Sequence, residues 1–191
     1  MVGSAGSSEP GGREPAPEPL QLVQRFVNSY DHLTDRGVIE TPEALDRWIG
    51  ARGLTRGARP TLEELRYVQD VRESIRSILK ANNDAPLDAT IVDRLNKKSP
   101  SVRLVFRLQE DGRPSVSSGT VGAPGVVASV LAAAAEGAHR GIWDRLKACR
   151  ECGWVFYDRS KNRSGSWCTM AICGSRSKMR AYRKRGGAIR A

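Results

Sequence analysis

The sequence predicts an α+β fold, mostly α, in two parts: an N-terminal helical domain with a small β-hairpin, then a small cysteine-bearing module that ends in a basic helix. Three observations predict it. Apolar residues recur at helical spacing through most of residues 20–95. Between Val102 and Thr120 the period changes to two on either side of Asp111-Gly112. All four cysteines fall in the 25 residues from Cys149 to Cys173. A chain of 191 residues suits one medium domain with a small appendage.

Residues 1–19, rich in Gly, Ser, Pro and Glu, read as a disordered leader. From Leu20 to about Arg36 the apolar positions Leu22, Val23, Phe26, Val27, Tyr30 and Leu33 predict a first helix, with Gly37 as its stop. Thr41-Pro42-Glu43 reads as an N-cap with proline at the first helical position, opening a second helix that buries Leu45, Trp48 and Ile49 and ends near Gly53. A longer third helix is expected from about Thr61 to Ala81, and a weaker fourth from Pro86 to about Leu95. Val102, Leu104, Phe106 and Leu108 share one face of a strand with Arg103 and Arg107 on the other, and Arg113 to Thr120 returns as its partner. The Ala-rich stretch from Gly125 to Ala148 reads as a helix leading directly into Cys149, with Gly137 and Gly141 as weak points. These elements put the helical domain at 20–140, the cysteine module at 141–186 and a short tail at 187–191.

The cysteines are spaced as Cys149-x2-Cys152, a gap of 15 residues, then Cys168-x4-Cys173. A pair two residues apart presents both thiolates to one metal from a single tight turn, and a second pair closes a tetrahedral shell, so Cys149, Cys152, Cys168 and Cys173 are expected to hold one structural Zn²⁺. Two disulfides are the competing reading, and the lack of a secretory-type apolar segment weighs against it. A closed four-thiolate shell offers substrate no position on the metal. No nucleophile, acid–base or phosphate-loop pattern is readable elsewhere, and His32 and His139 read as helix-surface residues, so the expectation is a protein that is not an enzyme. The longest apolar run, Val126 to Ala135, is broken by Ser129 and is too short for a bilayer. The expected location is cytoplasmic, with no membrane partner.

Charge is divided unevenly. Residues 1–139 carry 17 Lys and Arg against 18 acidic residues, whereas residues 140–191 carry 14 against three. The whole excess of the +10 chain therefore lies in the cysteine-bearing part, which favours a polyanionic partner. Gly174 to Arg185 reads as a basic helix in which Arg176, Arg180, Arg183 and Lys184 share an arc of about 100°, with Lys178 and Arg185 beside them. Met179 and Tyr182 form a narrow apolar stripe expected to rest on the zinc-bound turns. Lys161 and Arg163, between the cysteine pairs, would add backbone contacts. Trp154 and Phe156 read as the module's core, while Tyr157 and Trp167 are candidates for stacking on bases. In the third helix Arg72 falls on the stripe made by Leu65, Val68, Ile75 and Leu79. It is read either as an internal ion pair or as the anion-binding residue of a pocket for an acidic small molecule.

The tail as a whole, Cys-x2-Cys-Gly-Trp-Val-Phe-Tyr-Asp-x-Ser-x-Asn, then Trp167-Cys168-Thr-Met-Ala-x-Cys173-Gly174-x-Arg176-x-Lys178 and Tyr182-Arg183-x-Arg185, resembles the CGNR zinc finger from about Leu146 to Arg185. In that bacterial family the finger follows an α-rich ABATE domain, to which the N-terminal helices, the hairpin and the arginine-bearing third helix are similar. The resemblance implies a stress-induced transcription regulator whose finger binds DNA. Where the family reads Cys-Gly-Asn-Arg, this chain reads Cys173-Gly174-Ser175-Arg176, a replacement expected to keep a helix N-cap at Ser175. The combined expectation is a cytoplasmic DNA-binding regulator in which the helical domain senses an effector or forms a homodimer. An RNA-binding zinc module and a thiol-based redox or metal sensor are the alternatives.

Overall fold

The computed structural model describes residues 12–98 and 102–187. Among the described residues five α-helices, α1 (Leu20–Val27), α2 (Pro42–Ala51), α3 (Leu62–Ala81), α4 (Ala89–Lys98) and α5 (Gly122–His139), build the main body, and a sixth, α6 (Ser175–Gly187), follows the cysteines. Three two-stranded antiparallel ribbons complete it: β1 (Tyr30–Asp31) with β2 (Arg36–Gly37), β3 (Leu104–Leu108) with β4 (Pro114–Ser118), and β5 (Leu146–Ala148) with β6 (Val155–Tyr157). The fold is α+β and mostly α. No helix among the described residues is long and apolar enough to cross a membrane.

Local signals set most of these elements. Thr41 caps α2 by accepting from the Ala44 amide, with Pro42 at the first helical position. Thr61 and Glu64 form a reciprocal capping box at the start of α3. Leu20, Val23, Phe26 and Val27 of α1, Leu45 and Ile49 of α2, Leu65, Val68, Val71, Ile75 and Leu79 of α3, and Val126, Val127 and Val130 of α5 form one core. Leu146, Ala148, Val155 and Tyr157 belong to that same core, so the β5–β6 ribbon packs inside the helical body.

Four expectations are corrected. The first helix ends at Val27, because Asp31 bonds the Leu33 amide and the Thr34 hydroxyl, turning the chain into β1–β2 with Asp35 at φ 54°. The fifth helix stops at His139, Gly141 turns at φ 67°, and Leu146–Ala148 is a strand, so a ribbon and not a helix delivers Cys149. The β3–β4 hairpin forms as expected, but its apolar face is outward: Leu104, Phe106, Leu108 and Val116 are exposed, while Val105 and Ser117 face inward. The hairpin packs its other face on α5, and the two-residue-period pattern marks a strand without marking which face is covered. Finally, residues 12–19 are ordered. Ala16 is buried and its amide bonds Gln24 Oε1, whereas the rest of the expected leader, residues 1–11, and the tail beyond Gly187 lie outside the described residues.

Candidate metal centre

The β5–β6 ribbon pairs Leu146 with Tyr157, Lys147 with Phe156 and Ala148 with Val155, and Cys149 and Cys152 occupy its tip. The tip closes when the Cys149 amide donates to the Trp154 carbonyl and the Gly153 amide to the Cys149 carbonyl, both at 2.9 Å. Gly153 sits at φ 73°, a left-handed conformation that glycine adopts without strain. Of the second pair, Cys168 precedes and Cys173 lies within a wide turn over Met170–Gly174 that runs into α6. Its cap is Thr169, whose hydroxyl accepts from the Ile172 amide and whose carbonyl accepts from both Cys173 and Gly174. Ser175, expected as the cap, lies within helical backbone at φ −66°, ψ −43° and donates to the Met170 carbonyl, because the wide turn begins the helix six residues earlier.

The four Sγ atoms lie within 4.8 Å of one another. Cys168 stands 3.6 Å from Cys152 and from Cys173, and Cys152 and Cys173 are 3.7 Å apart. Four sulfurs about 2.3 Å from a central Zn²⁺ would stand about 3.8 Å apart in a tetrahedron, so the cluster fits one zinc ion. All four cysteines are free thiols, which removes the disulfide reading. Sulfurs this close cannot all ionise without a cation among them. Hydrogen bonds from Cys152 and Cys168 pull the Cys149 thiol far below its usual value, and the bond to Cys149 pushes Cys152 up to about 12. Bonds to Cys149 and Cys152 raise Cys168, and burial raises Cys173.

The loop between the pairs is built around Asp158. Its buried carboxylate accepts from Lys147 Nζ at 2.9 Å, from the Gly165 amide at 2.8 Å and from the Ser160 amide at 3.0 Å. Burial would raise its pKa, but these bonds together outweigh it and hold the carboxyl at about 2. Lys147 also donates to the Arg163 and Gly165 carbonyls, so one buried lysine closes the loop onto β5. Phe156 is buried among the cysteines with Trp154 and Trp167 against it.

Sequence reasoning missed the residues that fasten this centre to the helices. Arg76 of α3, 2% exposed, donates to the Gly153 carbonyl at 2.8 Å, the Val27 carbonyl at 2.6 Å, the Tyr30 carbonyl at 2.9 Å and Glu73 Oε2 at 2.9 Å. Asn28 bonds both the amide and the carbonyl of Val155, and Gln24 adds a second bond to that carbonyl. Asn83 donates to the Ala148 and Ser166 carbonyls. Arg13 stacks on Phe156 at 4.8 Å and donates to the Trp167 carbonyl, so the ordered N-terminal segment crosses the centre. The one available signal was the second arginine: Arg76 follows Arg72 by one helical turn on the same buried stripe. Arg72 itself is engaged by Glu73 at 2.9 Å and Glu40 at 3.7 Å and lies over Tyr30. Those partners supply the compensation a buried guanidinium needs, as the internal ion-pair reading expects.

All six basic residues of α6, namely Arg176, Lys178, Arg180, Arg183, Lys184 and Arg185, are exposed, as are Lys161 and Arg163. Arg176, Arg180 and Arg183 line a groove of about 530 Å³ with Glu151, Ile172 and Met179. Arg180 is tied to Glu151 between the first two cysteines, and Arg163 lies 3.6 Å from Asp144. Met179 and Tyr182 do not rest on the zinc-bound turns. They are 54% and 70% exposed, because Phe156, Trp154 and Trp167 already fill the space beneath the cysteines. Tyr157 is 8% exposed in the main core and is withdrawn from any base-stacking role, while Trp167 is only partly buried.

Two family models match the chain. One, described as "Putative stress-induced transcription regulator" and named ABATE, covers residues 20–140, and the other, the CGNR zinc finger, covers residues 145–186. No curated protein matches.

Proposed function

The chain belongs to the ABATE family and carries a CGNR zinc finger, and from that membership and the family's description we propose that it is a cytoplasmic DNA-binding transcription regulator and not an enzyme. The supporting observation is α6. It is a basic helix of 13 residues, about 20 Å long, that stands clear of the body and continues directly from the wide turn holding the zinc ligand Cys173. Such a rod matches the width of a DNA major groove. Arg176, Lys178, Arg183, Lys184 and Arg185 supply phosphate and base-edge contacts, with Lys161 and Arg163 on the flanking backbone. Arg180, tied to Glu151, fixes the direction of the helix as well. The burial of Tyr157 removes one of the two aromatic platforms on which an RNA reading relied, which favours duplex over single-stranded targets. The helical domain acts as the sensing or dimerising part.

The test is anisotropy of the zinc-loaded protein on duplex DNA and on structured RNA across a salt series. Each neutralised phosphate contributes about −0.9 to the slope of log affinity on log salt. The variant Arg176→Ala/Arg183→Ala is expected to make that slope shallower by up to about 2 and to weaken duplex binding. Unchanged binding by the variant, or preference for RNA, contradicts the proposal.

A further inference from the structure

Arg25, in the last turn of α1, and Arg52, directly after α2, line one cavity of about 210 Å³ with Leu22, Leu54, Gln21 and Glu18. Among the described residues neither guanidinium has an ion pair or a hydrogen bond, and Glu18 does not come within ion-pairing reach of either. Arg52 instead lies over the ring of Trp48, 4.2 Å from its centre, and Trp48 is 4% exposed. Arg52 Nε and Trp48 Nε1 are the two buried side-chain polar atoms among the described residues that lack a hydrogen-bond partner. Buried donors are paired in the great majority of cases, so the orphaned Nε of Arg52, whose side chain lines the cavity while Trp48 stands behind it, calls for an acceptor. Burial, with Arg25 adding like charge, pulls the Arg52 pKa down, and an anion between the two arginines relieves both effects.

We propose that this cavity between α1 and α2 binds a small monocarboxylate with a short apolar chain. The carboxylate matches the planar fork of a guanidinium held on an aromatic face, while Leu22 and Leu54 supply an apolar wall. Glu18 on the same rim disfavours a multiply charged anion by Coulomb repulsion. The volume holds roughly seven water-sized groups, which limits the ligand to a few carbons beyond its carboxylate. The site gives the sensing role of the helical domain a ligand class. It rests on the proposed function only for that role, because binding itself needs no DNA.

Zinc-loaded full-length protein is titrated with butyrate, butyramide and inorganic phosphate at constant ionic strength, without DNA, following tryptophan emission and thermal midpoint. Butyrate is expected to give a saturable change, butyramide none and phosphate a weaker one. Arg25→Gln, at an exposed position, is expected to weaken butyrate binding at least tenfold while zinc content and helicity stay unchanged. Arg52→Met is expected to abolish it, and if that variant does not fold, Arg25→Gln decides alone. Equal affinity in Arg25→Gln, an equal response to butyramide, tighter binding of phosphate, or no saturable response overturns the assignment. Loss of DNA binding in the separate duplex assay leaves this result standing.

Discussion

Replacing Arg76 by Met keeps most of the side-chain volume and removes a buried charge that bridges α3, the end of α1, β1 and the cysteine turn. Four hydrogen bonds disappear, to Glu73 and to the carbonyls of Val27, Tyr30 and Gly153. Glu73 keeps Arg72 and His32 as partners and is more than a third exposed, so solvent screening discounts its share of the loss. The cost therefore comes mainly from the carbonyls. Each one left without a donor costs about 1–3 kcal/mol, less where water enters, which gives about 4 kcal/mol for the set. Against a total stability of about 5–15 kcal/mol that is a large fraction. The assay is urea unfolding followed both by far-ultraviolet circular dichroism and by zinc release to a chromophoric chelator. In the wild type the two transitions should coincide, because β5 and β6 lie within the helical core, and in Arg76→Met both should move together to lower urea with an unchanged slope. A cost below about 1 kcal/mol would refute the bridging argument. So would zinc release well separated from helix loss in the wild type.

Other consequences follow from the same contacts. The Asp158 carboxyl is held at about 2 against an ordinary 3.8, so its contribution is fully present above pH 4 and is lost as the pH falls from about 4 to 2. It should amount to about 2 kcal/mol, read as the difference between wild type and Asp158→Asn, in which thiolate protonation is common and cancels. Cys168→Ser should reduce bound zinc well below one equivalent and lower the thermal midpoint by at least about 10 °C, since zinc binding is folding energy here; retained zinc with an unchanged midpoint would contradict the four-thiolate site. At Gly137 an added Cβ would stand 2.3 Å from Leu20 Cδ2, so Gly137→Val should cost about 1–3 kcal/mol by denaturant titration.

What the sequence disclosed follows the range of the signals that carry it. The cap at Thr41, the start of α3 near Thr61 and the Cys-x2-Cys turn involve neighbours a few residues apart, and each was readable. The 25-residue cysteine window was legible because two closely spaced cysteine pairs across a short loop suit four thiolates closing on one metal ion. Asn28, Arg76 and Asn83 act on backbone groups that lie 127, 77 and 65 residues away in sequence, and nothing in their immediate neighbours marks them. The Ala-rich stretch before Cys149 has high helix propensity except at Gly137 and Gly141, and it is Gly141 that turns the chain, after which pairing with Val155–Tyr157 takes Leu146–Ala148 into a strand. Met179 and Tyr182 have helical spacing that would suit burial, but Phe156, Trp154 and Trp167 pack against the cysteines in their place, and Met179 is left on the wall of the open groove. Arg52 passed unnoticed because an arginine just after a helix is common, and its stacking on Trp48 appears only once α2 is folded.

The central claim is that zinc fixes α6 so that its exposed arginines read duplex DNA. It is tested most directly by incubating zinc-loaded protein with a pool of genomic duplex fragments, washing at high salt and sequencing what remains, with Arg176→Ala/Arg183→Ala and chelator-treated protein in parallel. The account predicts a defined subset of fragments that is retained by the zinc-loaded protein and lost in both controls. Retention that is uniform across sequences and vanishes steeply with salt, or that survives in the α6 variant, would contradict it.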